Sequence, residues 1–336
     1  MKRFTIFLNA LVLFSAFALM PLRTSAIIRN GDVDWNLDVE IADVIRLVDD
    51  MTNGTATITD DVDGNLEVNI MDVTKLIDYL MGGELVLDLY YPPVPDSALV
   101  INVNGVSFAM MPVQGGSFTA HNYHVPVMLS DFYMGMTEVT MEIWDAVMES
   151  RPSGPLMYEP KPNQPMCSVS WYECQEFITR LNELTGLAFH MPTPDQFQYA
   201  VLGGQLTHGY TYAGSDDIDE VAWYKDNRHP IFEWYYKRGA SGHTMPVGMK
   251  KPNELGIYDL CGNVEEMTES SYLNWGENYD TVGTPHAWAM GGSVLHEAVY
   301  CIPFGFTQIQ ENNRTWDRGF RLVLQASSLP AGYRRK

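Results

Sequence analysis

The sequence has few basic residues. Its 336 residues include 21 Lys and Arg against 42 Asp and Glu, which gives a formal net charge of -21. A surface of this sign repels phosphate backbones and anionic membranes. The composition therefore predicts no nucleic-acid partner and favours cations as ligands.

Cysteine is also scarce. The four cysteines are Cys167, Cys174, Cys261 and Cys301, and they show no CxxC or Cys/His spacing of the structural zinc type. Four cysteines allow three disulfide pairings, and the sequence does not choose among them. A structural zinc site is therefore not predicted.

A long apolar run is missing after residue 26. Residues 1–26 have the pattern of a signal peptide, with a basic start, an apolar run over 4–19 and small residues at 24–26. The run is short for a membrane span and is interrupted by Asn9. We therefore predict a secreted, periplasmic or cell-surface protein that has no membrane span after cleavage.

Two copies of an acidic motif follow, one beginning at Asp32 and the other at Asp61. A calcium loop supplies oxygens from positions 1, 3, 5, 7 and 12. These positions hold Asp32, Asp34, Asn36, Asp38 and Asp43 in the first copy and Asp61, Asp63, Asn65, Glu67 and Asp72 in the second. The sharp bend that usually needs glycine holds Leu37 and Leu66. The shared register favours two calcium sites over two solvated acidic turns.

A stretch of helical period follows each loop. The predicted buried faces are Val44, Leu47, Val48 and Met51, and Val73, Leu76, Ile77 and Leu80. One calcium loop and one helix per repeat resembles the type I dockerin module, here residues 27–84. The resemblance implies a calcium-dependent cohesin partner. In that family the choice of partner depends largely on residues in and next to positions 10 and 11 of each loop, which here are Ile41-Ala42 and Ile70-Met71. These pairs are equally suited to packing the two helices together.

A proline-bearing linker is predicted over residues 85–99, a large domain over 100–326 and a tail over 327–336. The large domain has helical periodicity at 140–150 and 171–185, with a third helix expected after Thr193. The rest reads as loops and short strands, so we predict an α+β domain.

Several phrases in the large domain occur in a familiar order. They are Phe108 to Phe118, Asp131 to Thr140, Leu181 to Gly186, Pro252 to Val264, Gly291-Gly292-Ser293 and Gly319 to Val323. Together they resemble the sulfatase-modifying-factor family, that of the formylglycine-generating enzyme. The resemblance implies a compact, loop-rich fold related to C-type lectins.

The enzyme of that family holds copper with two cysteines, three and eight residues after the Gly-Gly-Ser serine. Ser293 and Cys301 match this pattern, but the other cysteine is replaced by His296. An aromatic residue of the family's pocket is replaced by Glu265. Soft thiolates select copper(I), so these changes predict loss of the oxidase. Cys301 is then either a buried thiol or half of a disulfide.

The resemblance also implies a second kind of calcium site, in which the side chains of Asp259 and Glu266 and the carbonyls of Gly262 and Val264 are ligands. The alternative is an exposed acidic turn. An aromatic stretch that includes Trp223, Tyr224 and residues 234–236 is suited either to sugar stacking or to ordinary packing.

The sequence thus predicts a dockerin-bearing protein whose large domain binds a glycan, such as a polysaccharide, or a protein. Two other functions stay open. One is an active or diverged copper-dependent oxidase, which would need copper as well as calcium. The other is a structural component of a cell-surface assembly.

Overall fold

The computed structural model describes residues 41–54, 70–81, 91–119, 126–152, 161–227, 244–269 and 286–330. The chain divides into two units, residues 1–87 and 88–336, and each has a core of its own. The predicted signal peptide lies outside the described residues. So do eight of the predicted calcium ligands, namely Asp32, Asp34, Asn36, Asp38, Asp61, Asp63, Asn65 and Glu67.

Two amphipathic helices, α1 (Ile41–Asn53) and α2 (Ile70–Leu80), make up most of the described part of the first unit. Their core consists of Leu47, Val73 and Leu76, surrounded by the partly buried Val44, Val48, Met51 and Ile77. The predicted apolar faces are therefore confirmed, apart from Leu80, which lies outside this cluster. No helix in the described ranges is both long and apolar enough to cross a membrane.

The first turns of these helices carry two features of interest. Asp43 and Asp72, at the last position of the two predicted calcium loops, are fully buried. In the second repeat, Ile70 is 64% exposed and Met71 is 51% exposed. Ile70 and Met71 therefore do not pack the helices together.

Eleven short strands are described in the second unit. They are β1 (Leu99–Val103), β2 (Val106–Val113), β3 (Gly116–Phe118), β4 (Val127–Leu129), β5 (Phe132–Gly135), β6 (Phe189–His190), β7 (Glu265–Met267), β8 (His286–Met290), β9 (Phe306–Gln310), β10 (Arg318–Phe320) and β11 (Val323–Gln325). One sheet has the order β1-β2-β5-β11-β6, a second has the order β10-β7-β8-β9, and β3 pairs with β4. Strands β10 and β7 run parallel, with Arg318 opposite Glu265, and the other pairs among these described strands are antiparallel.

Four helices, α3 (Met141–Val147), α4 (Trp171–Thr185), α5 (Pro194–Val201) and α6 (Ile218–Val221), accompany the sheets. A side-chain oxygen begins each of the first three, from Thr140, Ser170 and Thr193, by accepting a backbone N–H. The three predicted helices are confirmed. The expectation of only loops and strands after Leu202 was wrong at α6, which Asp217 caps.

The core of the second unit contains an aromatic cluster that joins helices to the second sheet. Trp144 of α3 stacks on Phe177 of α4 at 5.2 Å between ring centroids, and Phe320 of β10 meets both rings edge-on. All three side chains are fully buried. This cluster fixes β10, whose neighbours carry the candidate site.

Phe177→Ala should lower the free energy of unfolding by about 3–5 kcal/mol, because it leaves a cavity between Trp144 and Phe320. Leu184→Ala, on the exposed side of the same helix, should change it by about 0.5 kcal/mol or less. Chemical denaturation of both variants measures the difference. Equal effects would contradict the described packing of α4.

Candidate functional site

The three residues predicted around a metal centre lie on the loop after β8. Gly291 and Gly292 both have positive φ angles, 88° and 70°. A Cβ on Gly292 would lie 2.8 Å from the Cys301 sulfur. The glycine pair therefore lets the chain pass close to the Cys301 thiol.

Ser293 joins His296 to Asp317. The Ser293 Oγ lies 2.9 Å from Oδ2 of Asp317 and 2.9 Å from Nδ1 of His296. An ionised carboxylate only accepts, so the Ser293 hydroxyl proton goes to Asp317. The His296 Nδ1 must then donate its own proton to Ser293. Neutral His296 therefore keeps its Nε2 as an acceptor.

Ser293 is a poor nucleophile in this arrangement. It is fully buried, and its oxygen also accepts the backbone N–H of Leu295 at 3.2 Å. Its one proton and both its lone pairs are thus in use. We conclude that Ser293 orients the imidazole of His296.

Cys301 is a buried thiol. Burial raises its pKa above the usual value, and the nearby Cys261 and Glu265 raise it further. Burial likewise raises the pKa of Cys261 to about 12. All four cysteines are free and buried, so the half-disulfide alternative for Cys301 is not what the structure shows.

Glu265, at the family's aromatic position, forms a buried ion pair. One of its carboxylate oxygens accepts from Nε and Nη2 of Arg318, at 3.1 and 3.0 Å. The two side chains are 3% and 9% exposed. A charged pair therefore occupies the position where the resemblance implies an aromatic residue.

These residues do not fit the implied copper site. His296 replaces one of the two implied thiols, and burial favours the protonated form of the remaining thiol, Cys301. In the parts of the chain that the structure describes, no group of three or more His, Cys, Asp or Glu residues is placed to hold a metal ion.

In the large domain, the carboxylates of the implied calcium site have protein groups as partners. Both oxygens of Glu266 accept from Arg321, at 2.8 and 2.7 Å, and both side chains are fully buried. Asp259 accepts the N–H of Gly248 at 2.6 Å. The Arg321 guanidinium thus takes both oxygens of Glu266, so Glu266 does not fit a calcium ligand set with Asp259, Gly262 and Val264. Glu266 and Asp259 are both buried, so the exposed acidic turn is also not found.

Arg321 and a third carboxylate, Glu138, complete this buried cluster. The Glu138 Oε1 accepts from the Asn263 amide at 3.1 Å, while its Oε2 has no partner. Burial, followed by the charge of Asp259, raises the pKa of Glu138 well above its usual range. Burial also raises the pKa of Asp259, to about 6.

The aromatic stretch at Trp223 packs within the domain. Lys250 Nζ lies 4.0 Å from the centroid of the Trp223 ring, and Tyr224 is buried. The ordinary packing alternative is supported for these two residues. Residues 234–236 lie outside the described residues.

Comparison with known proteins fits this geometry. The family model of the sulfatase-modifying factor enzyme 1-like domain matches residues 101–326. The chain belongs to this family. A protein named Chaperone protein LppX, from Paenibacillus barcinonensis, is 33% identical over 202 residues, which cover 48% of this chain and 71% of that protein.

Solved structures of the same fold include Treponema denticola variable protein 1 and CarF, each with a TM-score of 0.54 and 23% identity. They match over 69% and 65% of this chain and over 100% and 98% of their own. PvdO from Pseudomonas aeruginosa has a TM-score of 0.53 at 18% identity and matches over 70% of this chain and all of its own. The predicted fold related to C-type lectins, with mixed helices and sheets, is confirmed for the large domain.

Three parts of the site in this sulfatase-modifying factor domain were missed from sequence, namely Asp317, Arg318 and Cys261. Asp317 and Arg318 directly precede the family phrase at Gly319, so that phrase marked their neighbourhood but not their roles. Cys261 was counted only as a potential disulfide partner. None of these contacts has a local sequence signal, because the partners lie far apart in the chain.

Glu138→Gln should alter how stability depends on pH. The folded-state pKa of Glu138 is raised, so its contribution to stability is present below the unfolded pKa and is lost as pH rises towards the folded value. The variant cannot ionise, so its stability relative to wild type should increase by up to about 1.4 kcal/mol per pH unit above pH 4.5.

Chemical denaturation between pH 5 and pH 9 measures this slope. Glu266→Gln serves as the matched comparison and should cost about 3–5 kcal/mol, because it leaves buried Arg321 without its anion. A constant stability difference between Glu138→Gln and wild type across the range would contradict the raised pKa of Glu138.

Proposed function

We propose that this chain is an exported binding protein, held at its N-terminus, whose sulfatase-modifying factor domain has lost the oxidase activity. The N-terminal unit binds calcium in its two loops and docks on a cohesin-type module. The large domain binds a glycan or a protein ligand, in the periplasm, at the cell surface or outside the cell.

The observation that carries the loss of oxidase activity is the state of the two implied copper ligands, because Cys301 is a buried thiol with a raised pKa and His296 replaces the other cysteine. Copper(I) chemistry of the implied kind needs two thiolates. Here the first ligand position holds the buried thiol of Cys301, and the second holds the imidazole of His296. The Glu265–Arg318 ion pair supports the same conclusion, because it fills the position of the family's aromatic residue.

The attachment role is supported by Asp43 and Asp72. Both carboxylates are fully buried, and both hold the last position of their repeats, where a calcium loop places an acidic ligand. The exposed Ile70 and Met71 supply an apolar surface of the kind that a protein partner covers.

The relative from Paenibacillus barcinonensis bears the name of a chaperone, which also fits a binding role. An active copper-dependent oxidase and a structural cell-surface component are the alternatives.

Oxygen uptake decides between the binding protein and the oxidase. With copper and a cysteine-containing peptide, the wild-type chain should consume no more oxygen than the Cys301→Ser variant. The reason is that Cys301 lacks a second thiolate partner at residue 296. Copper-dependent uptake that disappears in Cys301→Ser would show that the oxidase survives.

Calcium binding tests the attachment role. Titration calorimetry of the full chain should show calcium binding that weakens about ten-fold or more in Asp43→Asn/Asp72→Asn, because each loop loses a charged ligand. In a panel of type I cohesin modules, Met71→Asp should abolish calcium-dependent capture. Leu184→Asp, an equally exposed position in the other unit, should leave capture unchanged. Wild-type protein without calcium binding would rule out the dockerin-like role.

A further inference from the structure

A strip without charge borders the candidate site. Residues 298–310 contain no Asp, Glu, Lys or Arg, although such residues make up 19% of the chain. Glu297 and Glu311 bracket the strip. Tyr300 is 54% exposed and Phe306 is 42% exposed, so the strip reaches the surface.

Strand β9 orders one half of this strip. It is the outermost strand of its sheet among the described residues. Side chains alternate along a strand, and the exposed ones here are Phe306, Gln308 and Gln310, while Ile309 enters the core. An aromatic ring and two amides therefore form a row about 13 Å long.

Tyr300 is fixed beside this row. A Cβ on Gly305 would overlap the carbonyl oxygen of Tyr300, so the chain returns against Tyr300 just before Phe306. The Phe306 ring contacts Trp288 of the neighbouring strand β8, which meets it edge-on at 5.0 Å. Tyr300 and Phe306 are thus two exposed aromatic residues whose chain segments lie against each other.

His296 lies just outside the strip, on the other side of Glu297, and offers a hydrogen-bond acceptor. Its ring lies 5.7 Å from that of Tyr300, and Ser293 and Asp317 fix the proton on Nδ1. The Nε2 of the neutral ring is therefore suited to accept from a ligand hydroxyl. His296 is held from the other side by its carbonyl, which accepts the N–H of Lys225.

We propose that this strip binds a neutral oligosaccharide. A sugar ring offers a C–H face to aromatic side chains and hydroxyl groups to amides and imidazole. The absence of charge in the strip disfavours anionic and cationic ligands, and the row is longer than one sugar ring. The proposal rests on the binding role given above, and it names the ligand class and the surface.

A glycan fits the strip better than a protein partner. Protein interfaces concentrate their energy in a desolvated apolar centre. Here two amides follow the aromatic ring along β9, so any covering surface must supply hydrogen bonds to both of them. Hydroxyl groups along a polysaccharide meet this need.

Affinity electrophoresis of the full chain in gels with neutral polysaccharides, namely xyloglucan, galactomannan, xylan and mixed-linkage β-glucan, tests the proposal. The wild type should be retarded by at least one of them, and an anionic gel of polygalacturonate should not retard it. Tyr300→Ala should weaken binding about ten-fold, because it removes a stacking ring.

His296→Asn should weaken binding about five-fold. The asparagine amide can still donate to Ser293, but the Nε2 acceptor is gone. Tyr210→Ala removes a partly exposed tyrosine of another loop and should bind as wild type does. Circular dichroism of each variant checks that it is folded.

The proposal is overturned if none of the neutral polysaccharides binds, or if Tyr300→Ala and His296→Asn bind as tightly as wild type. Capture of a peptide that Tyr300→Ala abolishes, without glycan binding, would overturn it in favour of a protein ligand. These failures are separable from failure of the binding role itself, which would appear as copper-dependent oxygen uptake by the wild type.

Discussion

The second unit depends on one buried guanidinium. Arg321 gives both oxygens of Glu266 a partner and also donates to the backbone carbonyls of Gly135 and Tyr258. It therefore ties strand β7, strand β5 and the loop before Gly262 together, in a domain with short ladders and long irregular segments. Burial would lower the pKa of Arg321, but Glu266, Glu138 and Asp259 outweigh it. Desolvating this charge is costly, so the surrounding acceptors must all stay in place.

Strand β7 contributes both to the buried Arg321 cluster and to the candidate site. Successive side chains of a strand face opposite ways, so Glu266 of β7 turns to Arg321 while Glu265 turns to Arg318. Glu265, which replaces the family's aromatic residue, is buried and therefore needs a cationic partner. Arg318, opposite it on the neighbouring strand β10, supplies one. Ser293 and Asp317 hold His296 in a second set of polar contacts at the same site.

Local elements could be predicted from the sequence, but contacts between distant residues could not. Helical period and capping residues gave α1 to α5, and the family phrases gave the fold of the large domain. The roles of Glu266 and Asp259 were carried over from the family, and the structure pairs Glu266 with Arg321 instead. Asp317 has no local pattern that connects it with Ser293, because only the folded sheet brings them together. The calcium loops stay predictions, since most of their residues lie outside those described.

The central claim is that His296 and Cys301 do not form a copper site. An anaerobic titration with copper(I), followed by the ultraviolet absorption of copper–thiolate bonds and by competition with a chelator, tests it most directly. We expect no stoichiometric high-affinity ion and no difference between wild type and Cys301→Ser. One copper(I) ion per chain, with thiolate absorption that Cys301→Ser removes, would contradict the claim.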